Sequence, residues 1–223
     1  QGVFTLTAPN GGEVWIVGNA YDITWSNTGT VADVKLEYST DGGSTYPNVI
    51  VESTPNAGSY SWTVPDTITT TAKVKVSDAN IPTSYDTSDS TFKIRGALTL
   101  NSPNGGEVWI VGDTEQISWD VVGSIATVKL EYSTNGFADE TETVTIASDV
   151  DASLGTPYSW TIPDAISSTV KVRVTNEADS TVYDISDDNF IIKGSLTLTQ
   201  PNGGEEWIVG STESITWTKT GTI

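Results

Sequence analysis

Carboxylates are the side chains in this chain whose spacing could support chemistry. Asp86 and Asp89 stand in the segment Tyr85-Asp86-Thr87-Ser88-Asp89, and Asp184, Asp187 and Asp188 stand in Tyr183-Asp184-Ile185-Ser186-Asp187-Asp188. Both segments precede a Phe-x-Ile strand, so the same group of acids recurs at the same place. Calcium takes six to eight oxygen ligands, and recurrent carboxylates are its usual donors. No Asp-x-Asp-x-Asp-Gly loop is present, so the alternative is that these acids cap turns and face water. Other chemistries are excluded by composition. The chain holds no His and no Cys. That removes Ser-His-Asp and Cys-His nucleophilic sites and His/Cys zinc sites. No carboxylate pair stands out as a glycosidase couple, and no enzymatic activity is expected. Calcium is the one cofactor proposed.

The elements that must position these acids come from a repeat. Pro9-Asn10-Gly11-Gly12-Glu13-Val14-Trp15-Ile16-Val17-Gly18 recurs unchanged at 103–112, and at 201–210 with Glu206 for Val. The spacings, 94 and 98 residues, suit one small β-sandwich per period. The reading is a repeat over 1-95, a second over 96-193, and the N-terminal part of an incomplete third over 194-223. Within a repeat, short runs alternate apolar and polar residues between Gly, Pro, Asn and Asp. Val34-Lys35-Leu36-Glu37-Tyr38 is one such run and returns at 128–132 without change. Period-two alternation predicts strands with one face in a core and one in water. The expected fold is all-β, with tandem sandwiches of about seven strands each.

The aromatic residues divide into two groups. Trp25, Trp62, Trp119 and Trp160 lie on the inward phase of alternating strands and are expected in the core. Trp15, Trp109 and Trp207 follow the glycine turn; core or inter-repeat packing is the preferred reading, and exposed stacking on sugar is the alternative. Val14, Val108 and Glu206 share one position, which is therefore expected to face solvent, since Glu does not enter a core unpaired. Lys35, Lys73, Lys75, Lys93, Lys129 and Lys171 all fall on the outward phase, against a buried Lys–Asn isopeptide bond. Ser39–Tyr46 has the form of an Asp-box hairpin turn; repeat 2 lacks its downstream Thr, which marks turn chemistry rather than function.

Charge narrows the partners. Asp and Glu number 29 against 10 Lys and Arg, a formal −19. Nucleic acid binding rests on cationic contacts to phosphate, so that class is not expected. No apolar run reaches the ~18–20 residues of a membrane helix, so no membrane insertion is expected in this segment. The chain has no Met, and Gln1 is read as a processed end or a start inside a longer protein.

The pattern Pro-Asn-Gly-Gly-Glu-x-Trp-x-x-Gly followed by x-Ile-x-Trp resembles the Ig-like/fibronectin-III-like tandem repeats of large bacterial or archaeal surface proteins. It is also similar to the N-terminal Ig-like domain of the fungal Ser/Thr-rich GPI-anchored cell-wall family. The resemblance implies an extracellular, cell-surface structural module with no catalytic residues to transfer. The expected function is a stalk, spacer or filament component; the alternative is an adhesive array that binds carbohydrate or a partner protein. Self-association or contact with neighbouring repeats of the same protein is the expected partnership. The one-glycine joints at Gly96 and Gly194 suggest a stiff rod. The segment 194-223 holds only the first strands of a repeat, so either the polypeptide continues or another subunit supplies strands.

Overall fold

The computed structural model describes residues 2–153 and 157–223; Gln1 and residues 154–156 lie outside it. Contacts divide the chain into two compact units, Gln1–Ala97 with Val122–Ser124, and Leu98–Val121 with Ile125–Ile223.

The first unit contains β1 (Val3–Ala8), β2 (Val14–Ile16), β3 (Ala20–Thr28), β4 (Asp33–Ser39), β5 (Asn48–Pro55), β6 (Ser59–Thr63), β7 (Thr69–Asp78), β8 (Tyr85–Thr87) and β9 (Phe92–Arg95). One layer has the order β1-β3-β6; the other runs β2-β9-β7-β4-β5, with β8 also on β7. β2 runs parallel to β9, Trp15 opposite Ile94; β4 runs antiparallel to β7, Leu36 opposite Val76. The alternation does what the sequence requires. Val34, Leu36, Tyr38, Val74 and Val76 face the core, while Lys35, Glu37 and Lys75 line the outer face.

Trp15 reaches the core from one layer and Trp62 from the other. Their ring centroids are 5.9 Å apart, and Phe92 lies 4.9 Å from Trp15. Such edge and tilted ring contacts add to area burial.

The second unit repeats the plan with β10 (Ala97–Ser102), β11 (Val108–Ile110), β12 (Thr114–Val122), β13 (Thr127–Ser133), β14 (Thr143–Asp151), β15 (Tyr158–Thr161), β16 (Ser167–Asn176), β17 (Tyr183–Ile185) and β18 (Phe190–Lys193). Trp109, Trp160, Phe190 and Tyr132 form the same ring cluster. Trp119 departs from expectation: it is half-buried at the margin of the core, its indole donating to the Ala152 carbonyl at 3.0 Å. Between β13 and β14 the acidic segment forms a 3-10 turn, Glu140–Glu142, capped by Asp139. β19 (Ser195–Gln200) and β20 (Thr216–Thr220) pair with each other alone among the described residues.

Two further differences concern strand count. β8 and β17, expected as loop, pair with β7 and β16 across three residues each. Each sandwich therefore has nine strands among the described residues, seven of them longer than three residues.

Candidate functional site

The recurrent acids and the recurrent glycine turn meet. Glu13 closes the turn on itself: its two carboxylate oxygens accept the amides of Asn10 at 2.7 Å and Gly11 at 2.8 Å. Glu107 does the same for Asn104 and Gly105 at 2.8 and 2.9 Å. Two consecutive amides pointing one way make a small anion cradle, and the chain supplies its own anion.

The other half of the contact is long-range. Asn10 donates its side-chain amide to Asp89 Oδ2 at 2.8 Å and accepts the Asp89 backbone amide at 2.8 Å. Asn104 and Asp187 repeat the pair at 2.9 and 2.8 Å. Beneath it, Ser88 is fully buried; its hydroxyl donates to the Pro9 carbonyl at 2.7 Å and accepts the Val74 amide at 3.0 Å. Ser186 holds Pro103 and Val172 in the same way. Gly11 has φ +134°, and a Cβ there would fall 2.5 Å from Ser90 Cβ; at Gly105 it would fall 2.5 Å from Asp188 Cβ. Only glycine allows the turn to close on the loop.

Asp86 and Asp184 have a separate task. Asp86 Oδ2 accepts the Leu6 amide, and Asp184 Oδ2 the Leu100 amide, each at 2.7 Å. Each carboxylate thus ties the first strand of one layer to the short strand of the other.

The structure accordingly splits the five sequence-predicted metal positions. Asp89 and Asp187 bind the Asn side chains, Asp86 and Asp184 bind strand amides, and Asp188 backs the glycine, its own amide donating to the Asn104 carbonyl at 3.2 Å. Among the described residues, no three His, Cys, Asp or Glu side chains gather into a group that would hold a metal ion. Ser88, Ser186 and the Glu caps were missed from sequence, although their recurrence in both repeats was a usable signal.

The outer face carries a second arrangement. Glu37 accepts Lys35 at 3.1 Å and Lys75 at 3.0 Å. Burial pushes the Glu37 carboxyl up, but Lys75 and Lys35 together outweigh it and hold it below its ordinary value. In the second unit Arg173 replaces Lys75 and bridges Glu131 and Glu140 while its guanidinium covers Phe137 at 4.6 Å. A shallow cleft of about 240 Å³ opens there, lined by Lys129, Glu131, Arg173, Thr175, Ser180 and Tyr183. Trp15 and Trp109, each 6% exposed, are not surface platforms, whereas Val14 and Val108 are exposed as expected. In the Asp-box turn, Asp41 accepts Ser39 and Thr45 hydroxyls and the Thr45 amide, which hold its carboxyl well below the usual range.

These layers, orders and pairings define tandem Ig-like, fibronectin-III-like β-sandwiches. No family model matches the chain, and no curated protein matches it. Solved structures do. The fibronectin(III)-like modules of CbhA from Clostridium thermocellum are 16% identical, with 86% of this chain and 94% of that one covered and a TM-score of 0.29. The titin domains z1z2 in complex with telethonin are 18% identical over 86% and 97%, with a TM-score of 0.26. The ICAM-5 D1-D4 ectodomain fragment is 13% identical over 89% and 56%, with a TM-score of 0.37. No helix among the described residues is long and apolar enough to cross a membrane.

Proposed function

We propose that this chain is a non-enzymatic structural repeat protein of the cell surface, a spacer, stalk or filament component whose working part is the sandwich itself. One observation carries this reading: the Asn, Gly, Glu and Trp of the recurrent motif are spent on building the fold. In both complete repeats Glu caps the turn, Asn and Gly close it on the carboxylate loop, and Trp enters the core. A catalytic or ligand-binding motif would present such side chains outward. Single-molecule pulling on the whole chain is the test. Two cooperative steps, each lengthening the chain by roughly 300 Å for a repeat of this size, are expected. Non-cooperative extension at low force would refute the structural role.

A second reading, an adhesive array, draws on the cleft beside Tyr183, a residue 53% exposed. Amphipathic rings next to charged hydrogen-bonding groups suit sugars. Titration with soluble polysaccharides decides between them. Saturable binding lost in Tyr183→Ala would favour adhesion; no binding to any glycan favours the spacer.

A further inference from the structure

Four Asn-Gly pairs occur in the chain, and three of them share one surrounding sequence. Pro9-Asn10-Gly11-Gly12-Glu13 is repeated residue for residue at 103–107 and 201–205. The backbone is shared as well: φ is +134°, +129° and +115° at Gly11, Gly105 and Gly203, and +84° at each following glycine. In all three the Glu carboxylate accepts the amides of the Asn and of the first Gly. Only the asparagine side chain is held differently. Asn10 and Asn104 are half-buried, and each makes two hydrogen bonds with one aspartate, Asp89 or Asp187, at 2.8 to 2.9 Å. Asn202 is exposed, and its side chain has no hydrogen-bond partner among the described residues. The fourth pair, Asn135-Gly136, lies in another turn, where Asn135 Oδ1 accepts the Ser133 hydroxyl at 2.6 Å and the Ala138 amide at 3.2 Å.

An Asn-Gly pair carries its own nucleophile. The glycine has no Cβ to shield its backbone nitrogen, and that nitrogen can attack the asparagine Cγ. A bond forms between the glycine nitrogen and Cγ, and the Cγ–Nδ2 bond breaks. The departing Nδ2 group takes the glycine's amide proton and leaves as ammonia. Water then opens the cyclic imide. Opening at Cγ gives aspartate; opening at the main-chain carbonyl gives isoaspartate, with the chain rerouted through the side chain. Nothing is oxidised or reduced: one water enters and one ammonia leaves. The ring closes only when Cγ can turn toward the glycine nitrogen and Nδ2 can depart. At Asn10 and Asn104, Nδ2 is tied to a carboxylate and Oδ1 to a backbone amide, so both bonds must open first. At Asn202 neither restraint exists.

We infer that Asn202-Gly203 is a site of spontaneous deamidation with water as co-reactant, and that the Asn–Asp pair shields the matching sites at Asn10 and Asn104. The product has a consequence for the turn. Its carboxylate has no N–H to donate and repels an aspartate, so a converted turn cannot make the pair that Asn10 makes with Asp89.

The test holds the full chain in warm, mildly alkaline buffer, with and without urea, and samples it over time. Trypsin places the three asparagines on separate peptides, 1–35, 96–129 and 194–219, and mass spectrometry reads the amide-to-acid change in each. In the native chain, conversion at Asn202 is expected to be about ten- to a hundredfold faster than at Asn10 and Asn104, where two hydrogen bonds must open first. In urea the three should convert at matching rates, because their local sequences are the same. Asp187→Ala should speed conversion at Asn104, with Asn10 in the same chain as the unchanged reference. Gly203→Ala, whose Cβ hinders the attacking nitrogen, should suppress conversion at Asn202 and leave the other two as they were. Equal native rates at the three sites would overturn the inference, and so would an Asn202 that stays intact in the native chain yet converts in urea. An Asn104 unmoved by Asp187→Ala would overturn the shielding. The comparison of native chain with urea needs no variant, so it decides even where a substitution prevents folding.

Discussion

The ten-residue motif, with Glu206 in place of Val108, has different surroundings in the second repeat and in the segment after it. Glu107 and Glu205 cap their turns alike: Glu205 accepts the Asn202 and Gly203 amides at 2.6 and 2.8 Å. Those bonds hold the Glu205 carboxyl below its ordinary value. The tryptophans diverge. Trp109 is 6% exposed against Phe190 and Trp160, whereas Trp207 is 45% exposed. The motif makes its turn by itself. Burial of its tryptophan is supplied by strands that lie about 50 to 80 residues further along the chain.

The largest effect should come from breaking this contrast at the ring. Trp109→Ala is expected to destabilise its sandwich by about 3–5 kcal/mol in urea unfolding, the usual cost of emptying a buried aromatic site. Trp207→Ala should change stability by less than about 0.5 kcal/mol. Equal losses would show that the segment packs its tryptophan in solution. Next comes the glycine. Gly105→Ala must place a Cβ 2.5 Å from Asp188, while Gly203, at φ +115°, has nothing within 4 Å. The first variant should cost about 2 kcal/mol or more and the second clearly less, because only backbone strain remains. Ser186→Ala is a smaller step: it strips a buried hydroxyl from the Pro103 carbonyl and Val172 amide, at about 1–3 kcal/mol. A melting midpoint unchanged by that variant would show that water takes the hydroxyl's place.

Acid offers a gentler probe. The Asp164 carboxyl lies below its ordinary 3.8, chiefly because the Thr222 hydroxyl and amide donate to it, with Lys219 adding charge. A lowered carboxyl contributes in full above its unfolded value and loses that contribution as pH falls through its folded one. Protection of the Thr222 amide should therefore persist at pH 5 and fade below about pH 3.8. The smallest effect expected is that of calcium. With the recurrent acids already holding amides, millimolar calcium should leave the melting midpoint unchanged; a rise would place a cation among them.

Much of the fold was legible because alternation has one period and recurred in two copies. Lys35 and Glu37 could be set outward, and Leu36 and Tyr38 inward, from sequence alone. The short strands β8 and β17 were not legible. Tyr85-Asp86-Thr87 reads as loop because its pairing partner, not its own composition, makes it a strand. The carboxylates were found as a recurrent group, but their task was not. Acids that hold amides and acids that hold calcium have the same composition, and only the position of Asn10, 79 residues from Asp89, separates the two. Trp119 shows the limit of phase reasoning. Its phase is inward, yet it sits where the core thins toward its margin.

The turn described above joins two kinds of contact with very different ranges along the polymer. Glu13 reaches amides two and three residues away, but Asn10 meets Asp89 only across 79. During synthesis the first kind can form as soon as the segment emerges; the second must wait until nearly the whole repeat has been made. Loop closure of that length is the slow, entropically costly part of folding such a topology. The motif thus sets its short-range turn against a seam that needs both ends of the repeat. A repeat is latched only after its last strands have arrived, and a nascent one carries a finished turn with an open seam.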